Sequence, residues 1–197
     1  VSASELGALR SGEDLVQESL EWNGLAISHS ALITPRTPIV LVGRDDHDAQ
    51  RGAVLAAAVG ITRIVGYLAG GMTVWYEELR GVQRTDRLEV EELHDRWDRQ
   101  DAAVQVLDVR ERAEWNAGHI PGSVHYPYHD INSIPNDLNA ELPIAVICGS
   151  GQRAAVAASL LQHHGATNVI HIIDGGVPAW HRAGWPIHTS EHDAHPA

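Results

Sequence analysis

The sequence contains no lysine; all 14 of its basic residues are arginine. Schiff-base and pyridoxal chemistry on a lysine are thereby excluded. It has a single cysteine, Cys148. One cysteine allows neither an internal disulfide nor a resolving thiol, and points to a reducing compartment, the cytoplasm. Any covalent sulfur chemistry at Cys148 must be finished by an outside thiol or another acceptor. No stretch comes near the roughly 20 apolar residues that a membrane helix needs, so no membrane partner is expected. The most apolar stretch, residues 52–60, is short and Ala-rich and reads as a core helix. The first residues lack the basic start and hydrophobic core of a signal peptide. A chain beginning at Val1 is expected to be processed or excised from something longer. Positive charge is scarce: 14 cations face 26 carboxylates, for a net charge of −12. Nucleic acid, which must be met with cations that replace its counterions, is a poor partner for such a surface.

What is present is a repeat. Adding 105 to positions in residues 38–75 lands on residues 143–180 without a gap. Pro38 meets Pro143, Ile39 meets Ile144, and Leu55 meets Leu160. Gly60 meets Gly165, Thr62 meets Thr167, and Gly70, Gly71 and Trp75 meet Gly175, Gly176 and Trp180. A second register, of 93, puts Val16, Glu18, Glu21, Trp22 and Asn23 on Val109, Glu111, Glu114, Trp115 and Asn116. The registers differ by 12 residues, so the first copy is shortened between them. Three glycines and two tryptophans in register argue against chance.

Each copy alternates strand and helix. In the second, residues 88–97 have helical spacing, with Leu93 and Trp97 four apart. Residues 104–109, 143–147 and 168–173 are short, continuously apolar strands, the pattern of buried parallel strands. Residues 153–164 form a helix ended by Gly165. The fold class is α/β: two domains, each an open parallel sheet flanked by helices. They are expected over residues 1–81 and 88–189, with a polar boundary over 81–87. The tail, 190–197, rich in His, Asp and Pro, is expected to be disordered.

The run Cys148-Gly149-Ser150-Gly151-Gln152-Arg153 lies between a buried strand and a helix start. Ligands bind at the carboxyl ends of such strands. Two glycines let successive N–H groups turn inward as an anion nest, and the following helix adds its positive end. Arg153 adds a permanent cation. Surroundings of this kind favour the thiolate, the nucleophilic form. A lone cysteine is more often a buried, inert residue, but such a residue needs neither two glycines nor an arginine in the next five positions.

At this point the sequence resembles the rhodanese superfamily over nearly its whole length. The resemblance rests on Leu107-Asp108-Val109-Arg110, on the run from Glu114 to Ser123 that contains Gly118-His119-Ile120-Pro121-Gly122, on the Cys148–Arg153 loop, and on residues 174–180. It implies two rhodanese-like domains. Cys148 would attack a sulfane sulfur, hold it as a persulfide within Gly149, Ser150, Gly151, Gln152 and Arg153, and pass it to a thiol or to cyanide. No cofactor or metal is implied. Phosphatases of related fold place five residues between Cys and Arg; here there are four, a tighter cradle that suits a sulfane sulfur. The Cys-Gly-Ser-Gly start is also similar to mercaptopyruvate sulfurtransferases, which continue with Val-Thr where this chain has Gln152-Arg153. Thiosulfate and a low-molecular-weight persulfide are the expected donors, with mercaptopyruvate as the alternative. A docking module without turnover is the rival class.

The first copy departs from the pattern. Gly43 stands where Cys148 stands, Arg44-Asp45-Asp46-His47-Asp48 follows, and Asp48 takes the place of Arg153. Three carboxylates in an anion cradle disfavour a thiolate, so this copy is expected to be inactive. An inactive copy ahead of an active one, with Tyr67-Leu68-Ala69-Gly70-Gly71-Met72 in the first, is similar to the tail of metallo-β-lactamase–rhodanese fusions. That implies an upstream metallo-β-lactamase-type domain as partner. Arg110 is read two ways, as a group that helps hold an anionic donor and as one half of an ion pair with Glu114 or Asp108. His119 resembles the family's structural histidine. His125 and His129 are too few for a metal site. Trp75 and Trp180 read as core residues pinning the short helix after each Gly-Gly.

Overall fold

A computed structural model describes residues 38–58, 60–81, 84–99 and 104–189. The first-copy positions of the 93-residue register, the shortened segment before Pro38 and the tail from 190 lie outside them. The chain divides into two compact units, whose described parts are residues 38–81 and 84–189.

The first unit contains β1 (Ile39–Leu41), α1 (Asp46–Ala58), β2 (Ile64–Tyr67) and α2 (Gly71–Glu77). β1 and β2 pair in parallel. Asp45 caps α1, its carboxylate accepting the Asp48 N–H at 2.8 Å. Leu68 and Trp75 are buried, with Val40 and Met72 packed on them. The expectation of a core helix over residues 52–60 is corrected in part. Ala49, Gly52 and Ala56 of α1 are buried, but Val54 is 70% exposed and Leu55 45% exposed. Among the described residues α1 packs on the two strands β1 and β2, and these two side chains lie outside that contact.

The second unit contains β3 (Asp86–Leu88), α3 (Val90–Asp98), β4 (Gln105–Asp108), α4 (Arg112–Ala117), β5 (Val124–His125), a 3₁₀ turn (Tyr128–Asp130), β6 (Ile144–Ile147), α5 (Gln152–His163), β7 (Val169–Ile172) and α6 (Gly176–Arg182). The strands form one sheet in the order β3-β7-β6-β4-β5, all parallel. β3 begins inside the stretch read as a polar linker. As an edge strand with one buried residue, Leu88, it carries no apolar run to announce it. β6 is central, and its four residues Ile-Ala-Val-Ile are all buried. That is why it reads as continuously apolar, and burial of each isoleucine contributes roughly 1.5–3 kcal/mol. α5 packs on β6 and β7 through Ala154, Val156, Ala157, Leu160 and Leu161. α3 packs on α6, where Trp97 meets Trp180 edge-on and His94 stacks on Trp185 with centroids 3.9 Å apart.

The 105-residue register has a counterpart in geometry. β1, β2 and α2 lie 105 residues before β6, β7 and α6. The Trp75 indole N–H donates to the Gly81 carbonyl at 3.2 Å, and the Trp180 indole to the Pro186 carbonyl at 2.8 Å. A Cβ built on Gly71 would meet the Gly43 carbonyl oxygen; one on Gly176 would meet that of Cys148. Both tryptophans are buried, as expected of residues that pin the short helices.

β4 leads outward to β5, and β6 leads the other way to β7. The loops leaving β4 and β6 therefore diverge, opening a crevice at the carboxyl ends of neighbouring strands. Cys148 stands at that point.

Candidate active site

Cys148 directly follows β6 and is 0% exposed. Its Sγ accepts the Gly151 N–H at 3.1 Å. Gly151 is the N-cap of α5 in the left-handed conformation, φ 88 and ψ −25, with no side-chain cap. A Cβ there would strike the Ile173 carbonyl oxygen, so only glycine lets the loop lie this close to the end of β7. The first turn of α5 has no capping side chain, so its N–H groups and the positive helix end are open to an anion bound at the loop. His171 on β7 braces the loop from below: its Nε2 lies 2.8 Å from the Gly151 carbonyl oxygen. Gly149 and Ser150 form the outer part of the loop, with Gln152 as the first residue of α5.

Arg153 lies in the first turn of α5, but its guanidinium is not free. It donates to both carboxylate oxygens of Glu114, at 2.6 and 3.0 Å. This bidentate bond, above all, raises the Arg153 pKa, and the nearby Cys148 contributes in the same direction. The same bond is the main reason that the Glu114 carboxyl is held below its ordinary range, against the opposing effect of burial. A lowered carboxyl pKa stabilises the fold fully above the ordinary carboxylate value, and that contribution is lost as pH falls through the lowered one.

Arg110 lies in a different pair. It is 5% exposed, and its Nη2 bonds Asp108 Oδ2 at 2.6 Å and the Gly118 carbonyl at 2.7 Å. Arg110 thus enters the site as a neutral pair with Asp108 rather than as a loose cation for a donor. Glu114, its other candidate partner, is taken by Arg153. His119 is buried, stacks on Trp115 at 3.5 Å and contacts the Trp115 carbonyl through Nδ1. His125 lies 2.8 Å from the Arg110 carbonyl through Nε2. Among the described residues no group of three or more His, Cys, Asp or Glu could hold a metal ion. No helix there is long and apolar enough to cross a membrane.

Two residues have roles in the site that were not read from the sequence: Glu114, expected there only as a partner for Arg110, and His171. Glu114 is the N3 residue of α4, and its carboxylate also accepts the Glu111 N–H at 3.2 Å in a capping box. The Glu-x-x-Glu spacing before Trp115 is a signal for that position, though not for Arg153 as a partner. His171 is the single half-buried residue of an otherwise buried strand, and a polar residue in an apolar run is the signal that marks it.

This geometry makes a first prediction. Arg153→Ala removes the cation beside Cys148 and leaves the Glu114 carboxylate uncompensated. Alkylation of Cys148 by iodoacetamide at neutral pH is expected to slow roughly 3- to 10-fold, the scale of helix-end and partly exposed charge effects. An unchanged pH–rate profile would exclude a role for Arg153 in activating the thiol.

Comparison with known proteins finds a family match for this part of the chain. Residues 89–183 match the family described as Rhodanese-like domain. A relative in Bacillus subtilis (strain 168), named "Putative sulfur carrier protein YrkF", is 39% identical over 75 residues, 38% of this chain and 40% of its own length. The chain thus spans well under half of that relative. Among solved structures, the rhodanese-like domain of an Anabaena sp. protein is 26% identical with a TM-score of 0.48, covering 59% of this chain and 86% of its own. A rhodanese-related protein from Thermoplasma volcanium is 29% identical with a TM-score of 0.45, covering 52% of this chain and 97% of its own. Residues 89–183 of this chain are similar to rhodanese-like domains, with Cys148 in the loop after the central strand.

Proposed function

We propose that the second unit is a sulfurtransferase in which Cys148 carries a sulfane sulfur between a small donor and a thiol or cyanide. The observation that carries this reading is the Cys148 sulfur, bonded by the Gly151 N–H at 3.1 Å in a loop that opens onto the start of α5. Sulfur transfer is the activity associated with rhodanese-like domains as a family, and the name of the Bacillus subtilis relative describes a sulfur carrier. In the first step the thiolate attacks the outer sulfur of the donor. A new S–S bond forms on Cys148, the donor's S–S bond breaks, and its electron pair leaves with the donor residue. In the second step an acceptor thiolate attacks the outer sulfur of the Cys148 persulfide and restores the Cys148 thiolate. The loop N–H groups stabilise the negative outer sulfur meanwhile.

Residues 38–81 belong to a degenerate copy of the same module in this reading. The elements and tryptophan bonds spaced 105 residues apart support it. The inactivity of this copy is supported by what fills its loop. Asp48 accepts the Arg44 N–H at 3.2 Å and Asp46 accepts the Gly70 N–H at 2.7 Å, so carboxylates occupy donors that a substrate anion would need. A Cβ on Gly43 would lie 2.6 Å from the Ala49 nitrogen, which leaves no room for a cysteine there without movement of the loop.

The test is intact mass. Protein treated with thiosulfate, glutathione persulfide or mercaptopyruvate and then desalted is expected to gain one sulfur atom, and to lose it on addition of glutathione. Cys148 is the single cysteine, so no internal disulfide can discharge the persulfide. A protein that gains no sulfur from any of the three is a docking module rather than a sulfurtransferase.

A further inference from the structure

Both arginines near the Cys148 loop are neutralised one for one. Arg110 is bound to Asp108 and Arg153 to Glu114. The second pair lies over the loop: a Cβ on Gly149, the residue after Cys148, would be 3.2 Å from Arg153 Nη2 and 3.9 Å from Glu114 Oε1. Glu114 is held there by two independent bonds, from Arg153 and from the Glu111 N–H, and as an N3 residue it sits where a helix favours negative charge. Glu111, with its side chain half exposed, adds a second carboxylate on the same turn. Of the groups described above, the loop N–H groups and the helix end are left to attract an anion. The single charge of the thiolate or persulfide already uses them.

We infer that Glu114 is a specificity-determining residue that selects organic persulfides, R–S–SH, over thiosulfate as the sulfur donor. The inference rests on the sulfurtransferase reading of Cys148. Thiosulfate is a dianion whose sulfonate group adjoins the sulfur to be transferred, and Glu114 already balances the Arg153 guanidinium that lies nearest the loop, so that cation is not left to meet the dianion. An organic persulfide carries its outer sulfur next to a thioether-like sulfur and keeps any other charge at a distance. The step is Cys148–S⁻ + R–S–SH → Cys148–S–S⁻ + R–SH. One S–S bond forms as another breaks, the proton leaves with the donor thiol, the negative charge stays on the sulfur held by the loop, and no oxidant or reductant is consumed.

Two measurements on wild type and Glu114→Gln test this. Glutamine keeps the side-chain length and an acceptor for the Glu111 N–H. The first measurement is the ratio of kcat/KM for glutathione persulfide to that for thiosulfate, in which any general change in Cys148 reactivity cancels. Wild type is expected to favour the persulfide, and Glu114→Gln to shift the ratio toward thiosulfate by about fivefold to tenfold, the effect of one partly exposed charge on a dianion. The second is the ratio of Cys148 alkylation by iodoacetate to that by iodoacetamide, an anionic and a neutral reagent of one shape. It is expected to rise about threefold to fivefold in the variant and to fall back at low salt less steeply than in wild type. Equal use of both donors by wild type, or an unchanged donor ratio in Glu114→Gln, would overturn the inference. A wild-type protein that takes sulfur from neither donor overturns the sulfurtransferase reading and the donor class together. The alkylation ratio still reads the charge gate in that case, and its failure to move shows that Glu114 does not screen anions at all.

Discussion

Cys148→Ser is expected to end sulfur transfer while leaving the domain folded. The Cys148 side chain is wholly buried and accepts one hydrogen bond, from the Gly151 N–H. A serine oxygen is smaller than sulfur and accepts that bond equally well, so the loop keeps its shape. Chemistry does not survive the exchange. A serine hydroxyl is a very weak nucleophile near neutral pH unless a base activates it, and none of the site's groups described above is placed to do so: Arg153 is a cation and Glu114 is bound to it. No other cysteine can substitute. Transfer from thiosulfate to cyanide, and from glutathione persulfide to a thiol, is expected to fall by roughly 10³-fold or more, the scale of losing a covalent nucleophile. The melting temperature is expected to move by only a few degrees, since the packing change is about one atom. Substantial turnover by the folded variant would show that Cys148 is not the carrier.

The second large effect is expected far from the sulfur in sequence. Gly176 opens α6 at φ 45, and a Cβ added there would strike the carbonyl oxygen of Cys148 and lie 3.1 Å from the Gly149 carbonyl carbon. The next residue holds that same oxygen, the Val177 N–H donating to it at 3.0 Å. The peptide that carries the nucleophile is thus seated on the first turn of α6. Gly176→Ala adds left-handed strain of about 1–2 kcal/mol and an overpacking cost of about 1–3 kcal/mol. The melting temperature is expected to drop by roughly 10 °C or more for a domain of this size, with sulfur loading lost in proportion as the loop is displaced. Gly184→Ala separates the two costs. Gly184 has φ 76 with nothing within 4 Å of the added Cβ, so it carries the strain alone. Leu79, which stands 105 residues earlier at φ 52, shows that such a position tolerates a side chain. Equal losses of melting temperature in Gly176→Ala and Gly184→Ala would mean that the close seat of Cys148 on α6 contributes nothing.

Much of the second unit was legible because its signals are local. β6, α5 and β7 fall within a residue or two of their expected bounds, since continuous apolar runs and a Gly-terminated helix are read from neighbours in the chain. α3 starts at Val90 rather than at residue 88, because β3 claims Leu88 for its pairing with β7. An edge strand has no apolar pattern of its own, and the sheet order that recruits it is not written in any local window.

The sequence by itself determined the α/β alternation, the 105-residue spacing of like elements, and the presence of one cysteine in a Gly-rich loop at the end of a buried strand. These depend on composition and period, which the chain carries residue by residue. Only the tertiary structure decided which charges meet. Arg110 had Asp108 and Glu114 as candidate partners, and the fold gave it Asp108, two residues away. Glu114 went instead to Arg153, 39 residues on. It likewise decided that His171 reaches the Gly151 carbonyl across 20 residues, and that Val54 and Leu55 remain exposed. A charge pairs with whatever the fold brings within hydrogen-bonding distance, and an apolar side chain is buried only where another surface covers it; both are properties of distance in space.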